Sequence, residues 1–229
     1  MKATPDRKFF IEFTLLSDAC FGRGDGVAGL VDVEVQHDED GCPYLSGKTL
    51  RGLLVEECAN IMFGLNSQQN ANIEEWQAAA DRLFGRPGSQ ANDQASLHIG
   101  DARLPADLRK AIHIGVQREE LQRGQVLESL TTIRRQTALD PETGAPKDRT
   151  LRAVRLVLRG LSFQAELLFA TPPTGLDLPL LAACTKALRR LGLGRSRGRG
   201  ALTARLLDTA GQDVTGQYTN KFRQAVEVD

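Results

Sequence analysis

Alternation of apolar and polar side chains marks the first element of the chain. Over residues 8–16, Phe9, Ile11, Phe13 and Leu15 fall on one face, the period of a half-buried strand. Residues 30–36 repeat the pattern. Val31, Val33 and Val35 face one way, and Asp32, Glu34 and Gln36 face the other. A second strand is expected there, closed by the turn Asp38-Glu39-Asp40-Gly41. The period then changes to 3.6: Leu50, Leu53, Leu54, Cys58, Ile61 and Met62 form a helical stripe. Ser46 is placed to cap that helix. After a polar loop over 66–72, Trp76, Ala79, Ala80 and Leu83 predict a second helix. The glycine-rich residues 85–93 predict a mobile connection. Leu97 and Ile99 predict a strand end, and residues 105–113 a short helix.

The pattern breaks over residues 115–152, which are poor in large apolar side chains. This stretch carries Arg118, Arg123, Arg134, Arg135, Lys147, Arg149 and Arg152, with a turn signal at Asp140-Pro141-Glu142-Thr143-Gly144. A hairpin or arm projecting from the core is expected; an ordinary solvated insertion has the same composition. Strand patterns resume over 153–169, where Phe163, Ala165 and Leu167 alternate, and end at Pro172-Pro173. Leu180, Leu181, Cys184, Leu188 and Leu191 predict a long amphipathic helix. Residues 202–207 predict the last strand, and the tail after Asp208 is polar. Strand, strand, helix, insertions, strands, helix, strand suits an α+β fold. The expected core is ferredoxin-like (RRM-like), with helices on one face of the sheet.

Composition narrows the classes. A chain of 229 residues, 41% hydrophobic and 25% charged, is one globular domain able to bury a sizeable core. Lys+Arg and Asp+Glu are both 29, so the net charge is zero. Any binding of a polyanion must come from local stripes of charge. One such stripe is residues 186–200, with six basic side chains and no acidic ones. Cys20, Cys42, Cys58 and Cys184 show no CxxC spacing, which argues against a zinc ribbon. They read as thiols of a reducing cytoplasm. Met1-Lys2-Ala3-Thr4 does not lead into an apolar run, so no signal peptide is expected. No run approaches the ~18 apolar residues of a membrane span, so no membrane partner is expected.

The densest candidate site is Gly192-Leu193-Gly194-Arg195-Ser196-Arg197-Gly198-Arg199-Gly200. Glycines admit positive φ and close approach of a ligand to the main chain. Successive backbone amides in such a turn make an anion-binding concavity. Arg195, Arg197 and Arg199 add bidentate donors for phosphate oxygens. The loop reads as a cradle for a phosphodiester backbone, or as a solvated glycine-rich turn. Gly47-Lys48-Thr49 is like the end of a P-loop, but the required earlier glycine falls at position 42, which is Cys. A nucleotide-triphosphate site is excluded. Lys48 and Arg51 at a helix entry can still hold one phosphate of a polymer. His37, His98 and His113 form no recognisable catalytic pair.

Several segments together carry a resemblance: Asp32-x-x-Val35-x-x-Asp38, Gly41-x-Pro43-Tyr44-Leu45-x-Gly47-x-x-Leu50-x-Gly52, Gly100-Asp101-Ala102, and the 192–200 loop. On these the chain resembles the repeat-associated mysterious protein (RAMP) superfamily. It is most similar to the repeated backbone subunit of type III CRISPR effector complexes. The resemblance covers most of residues 9–208 and implies a single RAMP domain over 1–229, with residues 117–152 as a thumb-like insertion. It implies a subunit that stacks with its own copies and other effector subunits along a guide RNA. Lys48, Arg51, Arg134, Arg135, Gly192, Gly194, Arg195, Ser196, Arg197, Gly198 and Arg199 are the implied RNA contacts.

In cleaving members of the family an aspartate cuts the paired target RNA, and Asp32 occupies that motif position. From the residue pattern alone, Asp32 is the polar face of a strand. One carboxylate cannot cage Mg²⁺, which keeps waters and borrows phosphate oxygens. Mg²⁺ or another divalent cation is therefore expected at Asp32 only with RNA bound. Asp25 and Glu34 are lesser candidates. A non-cleaving RNA-binding scaffold and a guide-processing endoribonuclease stand as the alternatives, the second disfavoured by the scattered histidines.

Overall fold

The computed structural model describes residues 7–68, 70, 72–86, 95–137, 140, 142–145 and 150–227. In order these form β1 (Lys8–Leu15), α1 (Gly47–Ser67), α2 (Ile73–Phe84), β2 (Leu97–Ile99), α3 (Ala106–Gln117) and α4 (Arg123–Leu130). Then come β3 (Thr131–Gln136), β4 (Arg152–Val157), β5 (Ser162–Phe169), α5 (Asp177–Ala187), β6 (Leu202–Leu207) and α6 (Thr215–Glu227).

The main sheet is antiparallel, in the order β2-β5-β1-β6. Setting aside α2, α3, α4, α6, β3 and β4, the chain runs strand-helix-strand-strand-helix-strand with its first and third strands in the middle. That is the ferredoxin-like arrangement expected from the element order. Strand alternation turns Phe9, Ile11, Phe13 and Leu15 inward with Phe163, Ala165, Leu167 and Phe169, none more than 4% exposed. Phe13 lies opposite Phe163 in register, and their rings stack with centroids 5.4 Å apart. Leu50, Leu54, Leu180 and Leu181 close the core from the helical side.

The entry to α1 is held from two directions. Ser46 Oγ accepts from the Thr49 amide at 3.3 Å, the expected cap. Asp101 Oδ1 accepts from the Gly47 amide at 3.0 Å, so the step after β2 caps the same helix. A β-carbon at Gly47 would collide with the Ile99 carbonyl. Asp38 Oδ1 accepts from the amides of Asp40 and Cys42, at 3.1 and 2.9 Å, and holds the preceding turn.

Four expectations are corrected. Residues 30–36 do not form a regular strand. Val27 and Val31 close a tight loop on each other, and the segment then runs beside β4. The Asp32 amide donates to Ala153 O at 2.8 Å, and the Arg155 amide to Val33 O at 3.0 Å. Glu34, expected on a polar face, is 2% exposed and pairs with Arg155 (5% exposed) at 2.8 Å. The helix expected to reach Leu191 ends at Ala187. There the chain turns so that Leu191 N bonds Gly200 O at 2.9 Å. Leu191 is still fully buried, beyond the helix. The polar tail contains α6, whose Tyr218, Phe222, Ala225 and Val226 pack on the core. Phe222 meets the fully buried Trp76 with ring centroids 4.9 Å apart.

The fourth correction concerns the insertion. Residues 123–130, expected within a hairpin or arm projecting from the core, form α4, which Val126 anchors to the core at 4% exposure. β3 and β4 form the predicted hairpin, in register from Thr131↔Val157 to Gln136↔Arg152. Lys147 and Arg149, most of the 85–93 connection and Pro141 of the turn lie outside the described residues.

Candidate functional site

Successive side chains on a strand leave by opposite faces, and β3 uses this at one dipeptide. Arg134 lines a cleft with Gly198 and Arg199 of the glycine-arginine loop. Arg135 lines a different cleft, of about 600 Å³, with Asp32, Leu151 and residues 26–31. The β3–β4 hairpin therefore stands between the loop and Asp32, with one arginine turned to each.

The parity extends along the hairpin. Arg134 and Gln136 share a face with Arg152, Val154 and Leu156, their partners or diagonal neighbours in register. Val154, Leu156 and Cys20 are buried there as a small second core, with Val33 packed against them. Burial pushes the Cys20 thiol up, and the nearby Arg199 guanidinium opposes that rise. Ala153 and Arg155 alternate to the other face, where Asp32 and Glu34 lie.

The glycine-arginine loop sits on this second core. Residues Arg195–Arg197 form a single 3₁₀ turn between Gly194 and Gly198, both left-handed at φ 75° and 76°. Its four glycines divide by role. A β-carbon at Gly192 would stand 2.5 Å from Cys20 O, and one at Gly200 would collide with Leu191 O. Those two let the loop close against the core. Gly198 has nothing within 4 Å of that position, and Gly194 meets only the Arg199 side chain. Ser196, Arg197 and Gly198 are exposed. Arg197 shares a cleft of about 320 Å³ with Gln136 and Arg152. Arg199 donates to Gln136 Oε1 at 3.1 Å, and Arg195 pairs with Glu56 of α1 at 3.0 Å.

Asp32 is exposed, as its pattern predicts. Its Oδ2 accepts from the Ala153 amide at 2.6 Å, a contact that only the approach to β4 creates. Of the lesser candidates, Glu34 is consumed by its buried pair with Arg155, and Asp25 bonds Arg23 Nε at 2.5 Å. Among the described residues no group of three His, Cys, Asp or Glu side chains could hold a metal ion. His37 bonds Asp38 O at 3.1 Å, His113 bonds Asp40 at 2.9 Å, and His98 is on β2. The three do not form a site together.

The two faces of α1 separate Arg51 from the loop. Thr49 and Leu53 line a cleft with Gly192, Leu193 and Arg195. Arg51 instead donates to the Phe84 carbonyl at the end of α2 and lines the α1–α2 groove. Lys48 is exposed at the helix entry. Sequence reasoning passed over Asp18 and Arg159, which border the Arg134 cleft. Neither lies in a motif, and only the return of β5 beside β1 brings them together. Among the described residues, no helix is long and apolar enough to cross a membrane.

A family model described as RAMPs, the RAMP superfamily, matches residues 12–203. No curated protein matches the chain. Among solved structures, one similar chain comes from the cryo-EM structure of the type III-B Cmr-beta bound to cognate target RNA. It has a TM-score of 0.60 at 12% identity, covering 88% of this chain and 98% of that one. A second comes from the apo state of the type III-B Cmr-beta. Its TM-score is 0.56 at 13% identity, with 87% and 96% covered. At these identities the likeness is one of fold.

Proposed function

Because the chain belongs to the RAMP superfamily, we propose that it is a guide-RNA-binding backbone subunit of a type III CRISPR effector complex, and that it cleaves paired target RNA at Asp32. Its partners on this reading are guide RNA, target RNA, further copies of the chain and other effector subunits. The similar Cmr-beta chains, one from a structure with cognate target RNA, support that assignment. One observation carries it. The β3–β4 hairpin separates a glycine-arginine cradle from an aspartate-bearing cleft, and adjacent arginines serve the two sides.

The division of labour follows from the chemistry on each side. Exposed Arg197, open Gly198 and the left-handed turn offer guanidinium and amide donors without base-reading geometry, so binding is sequence-tolerant. Across the hairpin, Asp32 is an exposed carboxylate in a cleft that Arg135 also lines. RNA brings its own nucleophile. The 2′-oxygen forms a bond to the adjacent phosphorus, the P–O5′ bond breaks, and water protonates the departing 5′-oxygen. Asp32 draws the 2′-hydroxyl proton or holds a divalent cation, and Arg135 meets charge on the phosphate. A single protein carboxylate fits a cation that takes its other ligands from RNA oxygens and water. Such a cation would supply charge for the developing phosphorane.

The test is cleavage of a guide-paired RNA by the wild type and by Asp32→Asn, with Mg²⁺ and with chelator. Loss of cutting with binding retained, and a 2′,3′-cyclic phosphate on the wild-type product, support the reading. A second reading, the non-cleaving scaffold, draws on the 2.6 Å bond that gives Asp32 a structural use. Wild-type protein that binds and never cuts selects it.

A further inference from the structure

Three guanidinium-bearing residues from three separate segments border one small cleft of about 280 Å³: Arg134 of β3, Arg159 of the β4–β5 turn, and Arg199 of the glycine-arginine loop. A single carboxylate, Asp18, is set among them. Asp18 Oδ1 accepts from the Arg159 amide at 3.2 Å, and Oδ2 lies 3.5 Å from Arg134 Nη2. The Asp18 carbonyl also accepts from the Gly200 amide at 3.0 Å. A single residue, three positions beyond β1, thus ties the hairpin, the turn and the loop to each other.

We propose that Arg134, Arg159 and Arg199 form a pocket for one phosphate group, and that Asp18 positions them while holding the pocket's anion affinity down. Three cations against one carboxylate leave a surplus of two positive charges, which a phosphodiester halves and a terminal phosphate, at about −1.5 to −2, nearly neutralises. The side chains are already partly placed. Arg199 is held by Gln136, and Arg134, though exposed, reaches within 3.5 Å of Asp18 at the cleft edge. Asp18 stands where an anion would draw Arg134, with a side chain only 19% exposed. Its charge repels an incoming phosphate at short range, while its hydrogen bonds keep the segments together. The two roles separate chemically, because an asparagine keeps an acceptor oxygen for the Arg159 amide and loses the charge.

The ligand class rests on the reading of the loop as an RNA-backbone binder, and the experiment keeps the two apart. Binding of a short fluorescent RNA is measured by anisotropy across a salt series. One oligonucleotide carries a 5′-phosphate and the other a 5′-hydroxyl. Arg159→Gln is expected to weaken binding about tenfold and to lower the salt slope by about one. Asp18→Asn is expected to strengthen binding. An effect on both oligonucleotides assigns the pocket to an internal phosphodiester; an effect only with the 5′-phosphate assigns it to a terminal one. If Arg197→Ala weakens binding while Arg159→Gln changes nothing, or if Asp18→Asn weakens it, the pocket is overturned and the RNA reading survives. If the wild type binds neither RNA, that reading fails, and inorganic phosphate decides the pocket. A rise in melting temperature that Arg159→Gln abolishes supports it, and no rise overturns it. Unchanged far-ultraviolet circular dichroism of both variants shows that each is folded.

Discussion

The Asp32 carboxylate accepts a 2.6 Å hydrogen bond from the backbone amide of Ala153, 121 residues away in the chain. The side chain proposed to act on RNA therefore also fastens the start of β4 to the loop before it. Asp32→Ala and Asp32→Asn should then differ in stability and agree in chemistry. Alanine leaves the Ala153 amide to water and costs about 0.5–1.5 kcal/mol; asparagine keeps an acceptor and costs less. Both should retain RNA binding, and both should lower the cleavage rate by about 10²–10⁴-fold, the worth of a general base. Single-turnover cleavage and urea melts of the two variants check this. Full cutting by either would remove Asp32 from the mechanism.

The loop glycines should split into two classes. Gly200→Ala sets a β-carbon against Leu191 O at φ 68°, and Gly192→Ala does the same against Cys20 O at φ 81°. Each should cost more than about 2 kcal/mol, because left-handed strain and a collision with main chain add. Gly198→Ala meets no neighbour and should cost about 1–2 kcal/mol, the backbone penalty alone. Thermal melts rank the three. Equal losses would mean that the loop relaxes as a unit.

The buried Glu34–Arg155 pair should behave asymmetrically. Arg155 also donates to Thr131 Oγ1 at 3.2 Å, so removing either charge strands the rest. Glu34→Leu or Arg155→Met alone should cost about 3–5 kcal/mol. The double substitution should recover most of that loss, since apolar pairs of similar volume often replace buried ion pairs at little cost. A double-mutant cycle in denaturant measures the difference. Additive single losses would show that the pair is not coupled.

Trp76 is the chain's only tryptophan, and Phe222 of α6 rests on it. Phe222→Ala should destabilise the protein by about 2–3 kcal/mol, below the fully buried range because Phe222 is only partly covered. Native tryptophan emission should shift to the red as water reaches the ring. An unchanged spectrum with full stability would mean that α6 contributes little.

Periodicity made the core of this fold legible. Phe9, Ile11, Phe13 and Leu15, and then Phe163, Ala165 and Leu167, alternate because two central strands each bury one face. The stripe from Leu50 to Cys58 and the Ser46 cap announced α1 for equally local reasons. The motif glycines and aspartates were legible as a set, and the family followed from them. The structure gives several of them positional work: Asp101 caps Gly47, Asp38 holds the turn before Cys42, and Gly192 and Gly200 let the loop close. The α6 face was present in the tail too, with Tyr218, Phe222 and Ala225 at helical spacing, but few apolar residues among many polar ones hid it.

What depended on distant segments could not be read from spacing. Alternation assigned Glu34 to a solvent face; the arrival of Arg155 made that face an interior one. Arg51 and the glycine-arginine loop both belong to motifs, yet the helix turns Arg51 toward α2 and Thr49 toward the loop. Arg134 and Arg135 are adjacent in sequence, and only the packing of the hairpin gives each its own cleft. Local pattern, which needs only a period and a cap, determined the two central strands and the main helices, and the motif residues determined the family. Contacts between residues more than a hundred positions apart decided the two-sided site, because the partners of Asp32, Glu34 and Asp18 exist only once the chain has folded.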